Sequence, residues 1–469
     1  GFDVVLGNPP WELIELKEQE FFAVRAPEIG AASGARRKRL IDGLAQTNPA
    51  LASEYASAKR HIDAARHFLA NSGRYPLCGR GRIKTDTVFA ELGRHLIASR
   101  GRFGLVLPTG IATDATTQYF FKDLVKKGSL ASLYDFENAK PLFEGVHRSF
   151  KFCLLTLTGR DERVAQADFA FFAHDPTDLL KDDARFELTP EEIQLLNPNT
   201  GTCPIFRTRR DAEITLGIYR RVPVLINEND PVNGNPWGIS FMQGLFNMTS
   251  DSHLFHTRDE LEADGWTLNG NVFERSLDGG GVARMLPLYE AKMIHLYDTR
   301  WATYEPDGSI RPMTEDEKAN HLNPMPRYWV HGADVDSKVA GRWDKNWFFG
   351  WRDICRATDE RTSISTLLPR VALGNKIPIA MPDCSLEQVA MLQATLSSFV
   401  LDFAARQKLG GITMNYFVFM QLPVLPPGAF SRSDLPVSGG LAAWLSRRVD
   451  TLNGWIPDER DRCQVRAEL

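Results

Sequence analysis

Four consecutive residues near the start of this sequence, Asn8-Pro9-Pro10-Trp11, have the types and the order that a group transfer to an amine requires. The Asn8 side-chain oxygen and the Pro9 carbonyl can both accept hydrogen bonds from one amine, and proline makes this stretch of backbone rigid. Trp11 offers a ring that can stack on a flat base taken out of a duplex. The four residues therefore predict methyl transfer to an exocyclic amine.

The segments around these residues predict the sheet that positions them. The apolar run 2–7 (FDVVLG), closed by Gly and Pro, is typical of a strand buried on both faces in a parallel sheet. A polar, Ala-rich stretch at about 12–71 predicts an inserted pair of helices. Beyond it, helices are predicted at 85–99 and 117–127, and strands at 101–108, 129–136 and 150–158. This order indicates a parallel sheet with helices on both faces. Because no helix separates the last two strands, we expect one to run antiparallel at that edge.

The rest of the chain predicts further units. The pattern weakens across 161–235, where Pro and Gly punctuate it, and we interpret this stretch as a connector. Aromatic residues among Gly and Pro turns predict a mixed second domain with short strands at 236–428, whose clearest helix covers 386–407. The tail, 429–469, is predicted to be helical and polar. The methyl-transfer part accordingly covers 1–160.

Composition narrows the class of protein without deciding it. A formal charge of −4 over 469 residues does not by itself indicate a nucleic-acid binder. Two local stretches, 36–39 and 207–221, are basic, and each fits either a phosphate contact or a solvated surface. No apolar run approaches the ~20 residues of a membrane span and no signal-peptide pattern occurs, so we expect no membrane partner and a cytoplasmic location. The 6 scattered cysteines predict reduced thiols and no metal site.

These motifs, taken together, resemble a known family. The chain is similar to N6-adenine DNA methyltransferases whose recognition domain is C-terminal, a class that includes type IIG restriction-modification enzymes and related phage-defence methylases. Their signature is Asn-Pro-Pro followed by Tyr, Phe or Trp. The resemblance continues through 86–91 (DTVFAE), 101–110 (GRFGLVLPTG), 135–155 (DFENAKPLFEGVHRSFKFCLL), 197–225, 286–304 (LPLYEAKMIHLYDTRWATY) and 348–426. It implies an α/β fold: the C-terminal half of a Rossmann-like, S-adenosylmethionine-dependent methyltransferase sheet, with a mixed α+β target recognition domain.

The resemblance also implies roles for particular residues. Asn8 and the Pro9 carbonyl, supported by Pro10, would bind the amino group of an adenine flipped out of double-stranded DNA, and Trp11 would stack on that base. Phe143 matches a second aromatic that closes the sandwich, although the same position also fits a core Phe.

Further matches concern the cofactor and the DNA. Phe89 matches a residue near the adenine of S-adenosylmethionine, although on an amphipathic helix it also fits plain core. The recognition domain also contains candidate contacts to DNA phosphates or bases. Arg and Asn are candidates because they can make bidentate contacts with guanine and adenine. The candidates are Arg300, Arg352, Arg356, Arg361, Lys376, Lys408 and Asn415.

The sequence departs from the family in its cofactor motif. The family binds S-adenosylmethionine on an Asp-x-x-x-Gly-x-Gly turn upstream of the Asn-Pro-Pro strand, and nothing lies upstream here. We therefore expect the chain to belong to a longer protein, with the cofactor held mostly by residues outside it and with that missing part or other defence-system subunits as partners. Such a chain can be inactive alone.

Other functions stay open. The chain could be a non-catalytic DNA-recognition subunit. A protein glutamine methyltransferase also uses Asn-Pro-Pro-Tyr, but lacks so long a C-terminal region. Asp278 followed by Glu290 and Lys292 fits the loose pattern of metal-dependent nucleases, which would require magnesium. Cytosine-C5 transfer needs a Pro-Cys nucleophile, and that dipeptide is absent.

Overall fold

A computed structural model describes residues 1–431 and 440–453. The chain divides into two compact units, Gly1–Ala212 (unit 1) and Glu213–Leu469 (unit 2). The boundary lies inside the stretch 161–235 that the sequence predicts to be a connector.

Unit 1 is built from six strands and their flanking helices. The strands are β1 (Phe2–Gly7), β2 (Ile97–Leu107), β3 (Leu130–Glu137), β4 (Lys151–Thr158), β5 (Ala167–Ala173) and β6 (Phe186–Leu188). The helices are α1 (Glu18–Arg25), α2 (Pro27–Gly30), α3 (Gly34–Asp42), α4 (Leu44–Thr47), α5 (Pro49–Asn71), α6 (Thr85–Leu96), α7 (Gly110–Thr113), α8 (Gln118–Lys126) and α9 (Pro190–Leu196). A tenth helix, α10 (Arg209–Tyr219), crosses the boundary between the units.

The six strands form one mixed sheet in the order β1-β2-β4-β3-β5-β6. β1 pairs with β2, and β3 with β5, in parallel, whereas β4 runs antiparallel to both β2 and β3. The four strands predicted from the sequence are confirmed, and so is an antiparallel partner for the last of them. The prediction of an edge position was wrong, because β4 inserts between β2 and β3. The sheet is mixed, not parallel, because residues 138–150 connect β3 to β4 without a crossover helix and the chain reverses there.

The first strand also differs from its prediction. β1 is not buried on both faces: Phe2, Val4 and Leu6 are 61%, 58% and 77% exposed. Within the described residues β1 pairs only with β2 and therefore forms an edge of the sheet. An apolar run shows that a strand can be buried, but only its neighbours decide whether it is.

The insertion contains more helices than the predicted pair. Five helices, α1 to α5, pack around a small core of their own made by Phe22, Ala26, Ile29, Leu44 and Leu51. The longest, α5, begins where the Asn48 side chain accepts a hydrogen bond from the Leu51 N–H, with Pro49 in the first turn. The short helices were missed because four residues carry no readable period.

The stretch predicted to be a connector contributes to the sheet of unit 1. β5 and β6 pair antiparallel, and α9 begins at a capping box in which Thr189 and Glu192 bond each other's backbone N–H groups. β6 has only three residues, too few to show an alternating pattern.

Unit 2 is a mixed domain of short strands and helices, as the sequence predicts. Its strands are β7 (Ser240–Met242), β8 (Thr267–Asn269), β9 (Val272–Ser276), β10 (Val282–Tyr289), β11 (Ala302–Tyr304), β12 (Ile310–Pro312), β13 (Trp329–His331), β14 (Trp347–Trp351), β15 (Ser365–Pro369), β16 (Ala372–Leu373) and β17 (Ile379–Met381). They form the sheets β13-β10-β9-β8, with β16 beside β10, and β15-β14-β17-β7, together with the pair β11-β12. Its helices are α11 (Arg258–Ala263), α12 (Glu315–Ala319), α13 (Gly332–Val339), α14 (Leu386–Leu396), α15 (Phe399–Arg406), α16 (Tyr416–Phe419) and α17 (Gly440–Asn453).

The helix predicted at 386–407 is two helices. α14 and α15 meet at a bend of 59°, where the Ser398 side chain caps α15 by accepting a hydrogen bond from the Leu401 N–H. Among the described residues no single helix is long and apolar enough to cross a membrane. The bent pair α14 and α15 together has that length and composition, and much of it lies in the unit 2 core. In the predicted helical tail, α17 is observed, and residues 432–439 and 454–469 lie outside the described part.

Candidate functional site

The Asn8 to Trp11 turn lies at one edge of the unit 1 sheet. β1, β2, β3 and β5 all end at this edge, which we call the carboxyl edge. The start of α6 holds the turn in place: the Thr85 hydroxyl donates to the Pro10 carbonyl at 2.5 Å and accepts from the Glu12 N–H at 3.0 Å. The turn is thus fixed by a helix 75 residues further along the chain.

The two predicted base-stacking rings contact the same apolar cluster. Trp11 packs against the cluster formed by Phe136, Phe152 and Ala173. The Phe143 ring lies 5.1 Å from the Phe152 ring, at an interplanar angle of 77°. The structure therefore brings Trp11 and Phe143 to one cluster although 132 residues separate them in the chain.

A buried amide that the sequence reading missed shapes the loop that carries Phe143. The Asn138 side chain is fully buried and donates to the carbonyls of Phe143 and Val146 at 3.0 and 2.9 Å. It also accepts from the Phe143 N–H at 3.1 Å. With its backbone held on both sides, Phe143 keeps its ring 38% exposed.

Asn8 differs from these supporting residues because its side chain does not bond other residues in the described part of the chain. It is exposed, and within the part of the chain that the structure describes its amide makes no hydrogen bond. Pro9 and Pro10 on its C-terminal side have no N–H to compete for the acceptor. The Asn8 oxygen and the neighbouring carbonyl are therefore available to an incoming amine.

Two carboxylates at the carboxyl edge are held by the fold. Asp135 is 1% exposed and accepts from the Thr109 hydroxyl and, at 3.1 Å, from the Phe172 N–H. Burial raises its pKa despite these bonds. Glu137 pairs with Lys151 and His174, each at 3.1 Å. Burial would raise the pKa of Glu137, but these partners lower it overall.

The cofactor candidate Phe89 lies on α6, the helix that holds the turn, and its ring is 46% exposed. Asp86, in the first turn of α6, is 1% exposed, and its Oδ1 has no hydrogen-bond partner among the described residues. Burial raises the pKa of Asp86. The exposed ring and the orphaned oxygen are features that a bound group would explain.

Several predicted DNA contacts in unit 2 are used inside that unit. The Arg352 guanidinium donates to the Ile294 carbonyl, with Nε at 2.8 Å. Arg361 donates to the Ser397 carbonyl at 2.5 Å and lies 3.4 Å from Asp402.

Arg300 and Asn415 are also engaged. Arg300 donates to the Lys318 carbonyl at 3.0 Å, and Asn415 caps α16 by accepting from the Val418 N–H at 3.1 Å. Lys408 lies with its Nζ 4.6 Å from the centre of the Tyr219 ring, and burial lowers the pKa of its ammonium.

Arg356 and Lys376 are the more accessible candidates. The Arg356 side chain is exposed and makes no hydrogen bond in the described part of the chain, whereas its backbone N–H donates to Asp359 at 2.9 Å. Lys376 pairs with Asp353 at 2.9 Å, yet its side chain is 48% exposed. These two remain candidate DNA contacts.

The geometry contradicts the nuclease alternative. Asp278 lies in the turn before β10 and Glu290 follows its other end, so the strand of 8 residues separates them; at ~3.3 Å per residue this is roughly 25 Å. The Glu290 carboxylate accepts from the Tyr304 hydroxyl at 2.6 Å and pairs with Arg327 at 3.3 Å. The described residues contain no group of three or more His, Cys, Asp or Glu side chains that could hold a metal.

Comparisons with known proteins give matches only among solved structures. No family model and no curated protein matches the sequence. The chain is similar to the type IIL restriction-modification enzyme MmeI in complex with DNA, with 11% identity, a TM-score of 0.39 and coverage of 97% of this chain and 55% of that one. It is similar to the type IIG restriction endonuclease BpuSI, with 12% identity, a TM-score of 0.32 and coverage of 95% and 48%.

A third similar structure is the type I restriction-modification methyltransferase subunit from Streptococcus thermophilus, with 16% identity and a TM-score of 0.24 over 43% of this chain and 37% of that one. The chain spans about half the length of MmeI and BpuSI, 55% and 48% respectively.

Proposed function

We propose that this chain carries the base-binding half of a DNA adenine-N6 methyltransferase that works in a restriction-modification or phage-defence system. One observation carries the proposal: Asn8 is exposed at the carboxyl edge, its amide has no hydrogen-bond partner among the described residues, and it adjoins Trp11, whose apolar cluster also contacts Phe143. An open amine acceptor next to two aromatic rings suits a flat base with an exocyclic amine.

The chain's own residues would bind and orient the amine. The Asn8 oxygen and the Pro9 carbonyl accept its two N–H groups, which leaves the nitrogen lone pair facing away from both acceptors. Trp11 and Phe143 hold the ring of the base. Flipping an adenine costs on the order of a few kcal/mol, and stacking and backbone contacts offset that cost.

No strong side-chain base is required in this scheme. The amine nitrogen becomes acidic as it acquires the methyl group, so its proton can pass to solvent. The exposure of Asn8 gives water a path to that proton. The two carboxylates nearby, Asp135 and Glu137, are already bonded within unit 1 and need no role in the transfer.

The described residues fit S-adenosylmethionine only in part. When bound, it supplies an electrophilic methyl group. Phe89 and the orphaned Asp86 oxygen fit a neighbouring ligand, but the sequence has no Asp-x-x-x-Gly-x-Gly turn. Gly79–Gly81 and Gly279–Gly281 do not follow a strand into a helix in the manner of that turn. We propose that residues outside this chain hold most of the cofactor and pair with the exposed edge of β1.

The test is methyl transfer to DNA by the chain alone and by the chain together with the residues encoded upstream of Gly1. The upstream form should place N6-methyladenine in DNA, detected by mass spectrometry of digested nucleosides. Asn8→Ala should lower the rate by about 10²-fold to 10³-fold, as loss of a transition-state hydrogen bond does. An upstream form that binds the cofactor and DNA yet yields no methyladenine refutes the proposal.

A second candidate is a non-catalytic DNA-recognition subunit. The observation that favours it is the partial fit to the cofactor, because a chain without a cofactor cradle can still bind DNA. In that case Asn8→Ala would leave DNA binding by the upstream form unchanged, and that form would not bind S-adenosylmethionine. Calorimetric titration of S-adenosylmethionine into both forms separates the two candidates, since only the enzyme binds it.

A further inference from the structure

A strained residue stands at the end of β5. Phe172 has a φ of 60°, in the left-handed region that a bulky residue rarely adopts. Its N–H donates at 3.1 Å to Asp135, whose other oxygen accepts from the Thr109 hydroxyl. The buried Asp135 carboxylate, which lies on β3, therefore holds this conformation, and Thr109 in the loop after β2 bonds its other oxygen. Strain of this kind persists only where the surroundings enforce it, and it clusters at functional sites.

The Phe172 ring supports two cations. The Arg207 guanidinium carbon lies 3.9 Å from the ring centre, and the Lys151 Nζ lies 4.3 Å from it. Lys151 is neutralised by Glu137 at 3.1 Å. Arg207 is exposed and, in the described part of the chain, has neither a carboxylate nor a carbonyl partner.

A stacked guanidinium of this kind is ready to bind an anion. Contact with the Phe172 ring restricts the Arg207 side chain, while the residue stays exposed to solvent. A planar fork of N–H donors matches two oxygens of a phosphate. Because the ring already restricts the Arg207 side chain in the free protein, less side-chain entropy is lost when the phosphate binds. Lys151 lies on the same ring but is paired with Glu137, so the positive charge that an anion would meet is that of Arg207.

We propose that Arg207, supported by Phe172, binds a DNA backbone phosphate at the carboxyl edge of unit 1. The inference rests on the proposed function, and it adds a phosphate contact within the catalytic unit. The Asp135 bonds tie Phe172 to the end of β2, and β2 is the strand that pairs with β1, which leads into the Asn8 turn. The contact thus lies on the edge that would receive the flipped base.

The test measures binding of a fluorescent random-sequence duplex by anisotropy across a range of salt concentrations. Each phosphate contact adds about 0.9 to the slope of log K against log salt, so Arg207→Ala should lower that slope by about 0.9 and weaken binding about eightfold at 0.1 M salt. Phe172→Leu should produce a smaller loss, because the guanidinium keeps its charge but loses its support. Circular dichroism verifies that both variants fold.

Arg163→Ala is the matched control. Arg163 is also exposed, but it lies between the end of β4 and the start of β5, at the opposite edge of the sheet. It should leave affinity and slope unchanged. Equal losses for Arg163→Ala and Arg207→Ala would overturn the proposal, because they would indicate general charge alone.

Other results separate this inference from the proposed function. If the wild-type protein binds the duplex and Arg207→Ala does not change that binding, the phosphate site is overturned and the proposed function is not. No binding of the duplex by wild type, together with no methyl transfer, overturns both. The last measurement is calorimetric titration with inorganic phosphate. If Arg207→Ala no longer binds phosphate but still binds DNA as the wild type does, the site binds a free anion and the proposal is overturned.

Discussion

Asp402 in unit 2 and Asn8 in unit 1 show two opposite uses of a polar side chain. Asp402 is 4% exposed and accepts from the N–H groups of Thr362 and Ser363 at 2.8 and 2.9 Å, and from Arg406 at 3.0 Å. Asn8 is exposed and makes no such bond in the described part of the chain.

The contrast extends to the arginines. Arg352 and Arg361 in unit 2 donate to carbonyls of their own unit, whereas Arg207 in unit 1 lies against the Phe172 ring and has no carboxylate or carbonyl partner among the described residues. A buried charge that is bonded on all sides serves stability, and an exposed donor or acceptor held in place without a partner is suited to a ligand. Residue type alone does not distinguish these cases.

The largest effect is expected at Asp402. Asp402→Ala leaves Arg361 and Arg406 without their carboxylate and removes the acceptor from two buried N–H groups. Unit 2 should lose about 3–5 kcal/mol of unfolding free energy, as buried pairs do when one partner is removed. Chemical denaturation measures it. Asp336→Ala, which breaks an exposed pair with Arg370, should cost under about 1 kcal/mol; equal costs would contradict the comparison.

The next effect is expected at Asn138. Asn138→Ala removes three hydrogen bonds from the loop that carries Phe143, and an unpaired buried group costs about 1–3 kcal/mol. Methyl transfer by the upstream-extended form should fall because the ring is no longer held. Phe143→Ala should lower kcat/KM to a similar degree with little change in Tm, since the ring is 38% exposed. Full activity in both variants would remove Phe143 from the site.

Arg352 and Arg356 provide a matched pair within unit 2. Arg352→Ala should lower Tm, because the guanidinium is bonded to the Ile294 carbonyl, and should leave the salt dependence of DNA binding unchanged. Arg356→Ala should leave Tm unchanged and, if it contacts a phosphate, reduce the salt slope by about 0.9. The reverse outcome would show that internal bonding does not predict which arginine serves stability.

The last effect is a pH dependence, and it concerns Asp450 on α17. Burial raises the pKa of this carboxyl from 3.8 to about 6. Because the folded-state pKa is the higher one, the stability that it contributes is present below about pH 4 and is lost as pH rises through 6. Thermal unfolding between pH 4 and 8 should show this loss, and Asp450→Asn should flatten it. A steeper loss in the variant would contradict the sign.

Much of unit 1 could be predicted from sequence because its strands have strong local patterns. β2, β3 and β4 lie within a few residues of their predicted positions, and the turn at Asn8 follows β1 as the sequence predicts. The position of β4 between β2 and β3 was not predicted, since strand order depends on pairing between distant segments. Short elements such as β6 and α4 were missed because three or four residues carry no period.

The site divides in the same way. The chemistry proposed for Asn8, Pro9 and Trp11 rests on their types and order, because acceptors and a ring in succession suit a flat base with an amine. The roles of Asn138, Phe172 and Arg207 depend on partners far along the chain or on one backbone angle, and no local pattern announces them.

The sequence by itself determined that a strand leads into the Asn8 to Trp11 turn and that a second, mixed domain follows, because both depend on the local order of residue types. Tertiary structure alone decided which polar groups are already bonded. Arg352 meets the Ile294 carbonyl across 58 residues and Asp402 meets Thr362 across 40, whereas the amide of Asn8 is left open. Most buried donors and acceptors find hydrogen-bond partners that are close in space but distant in sequence. Which polar groups remain available to a ligand therefore depends on the folded structure.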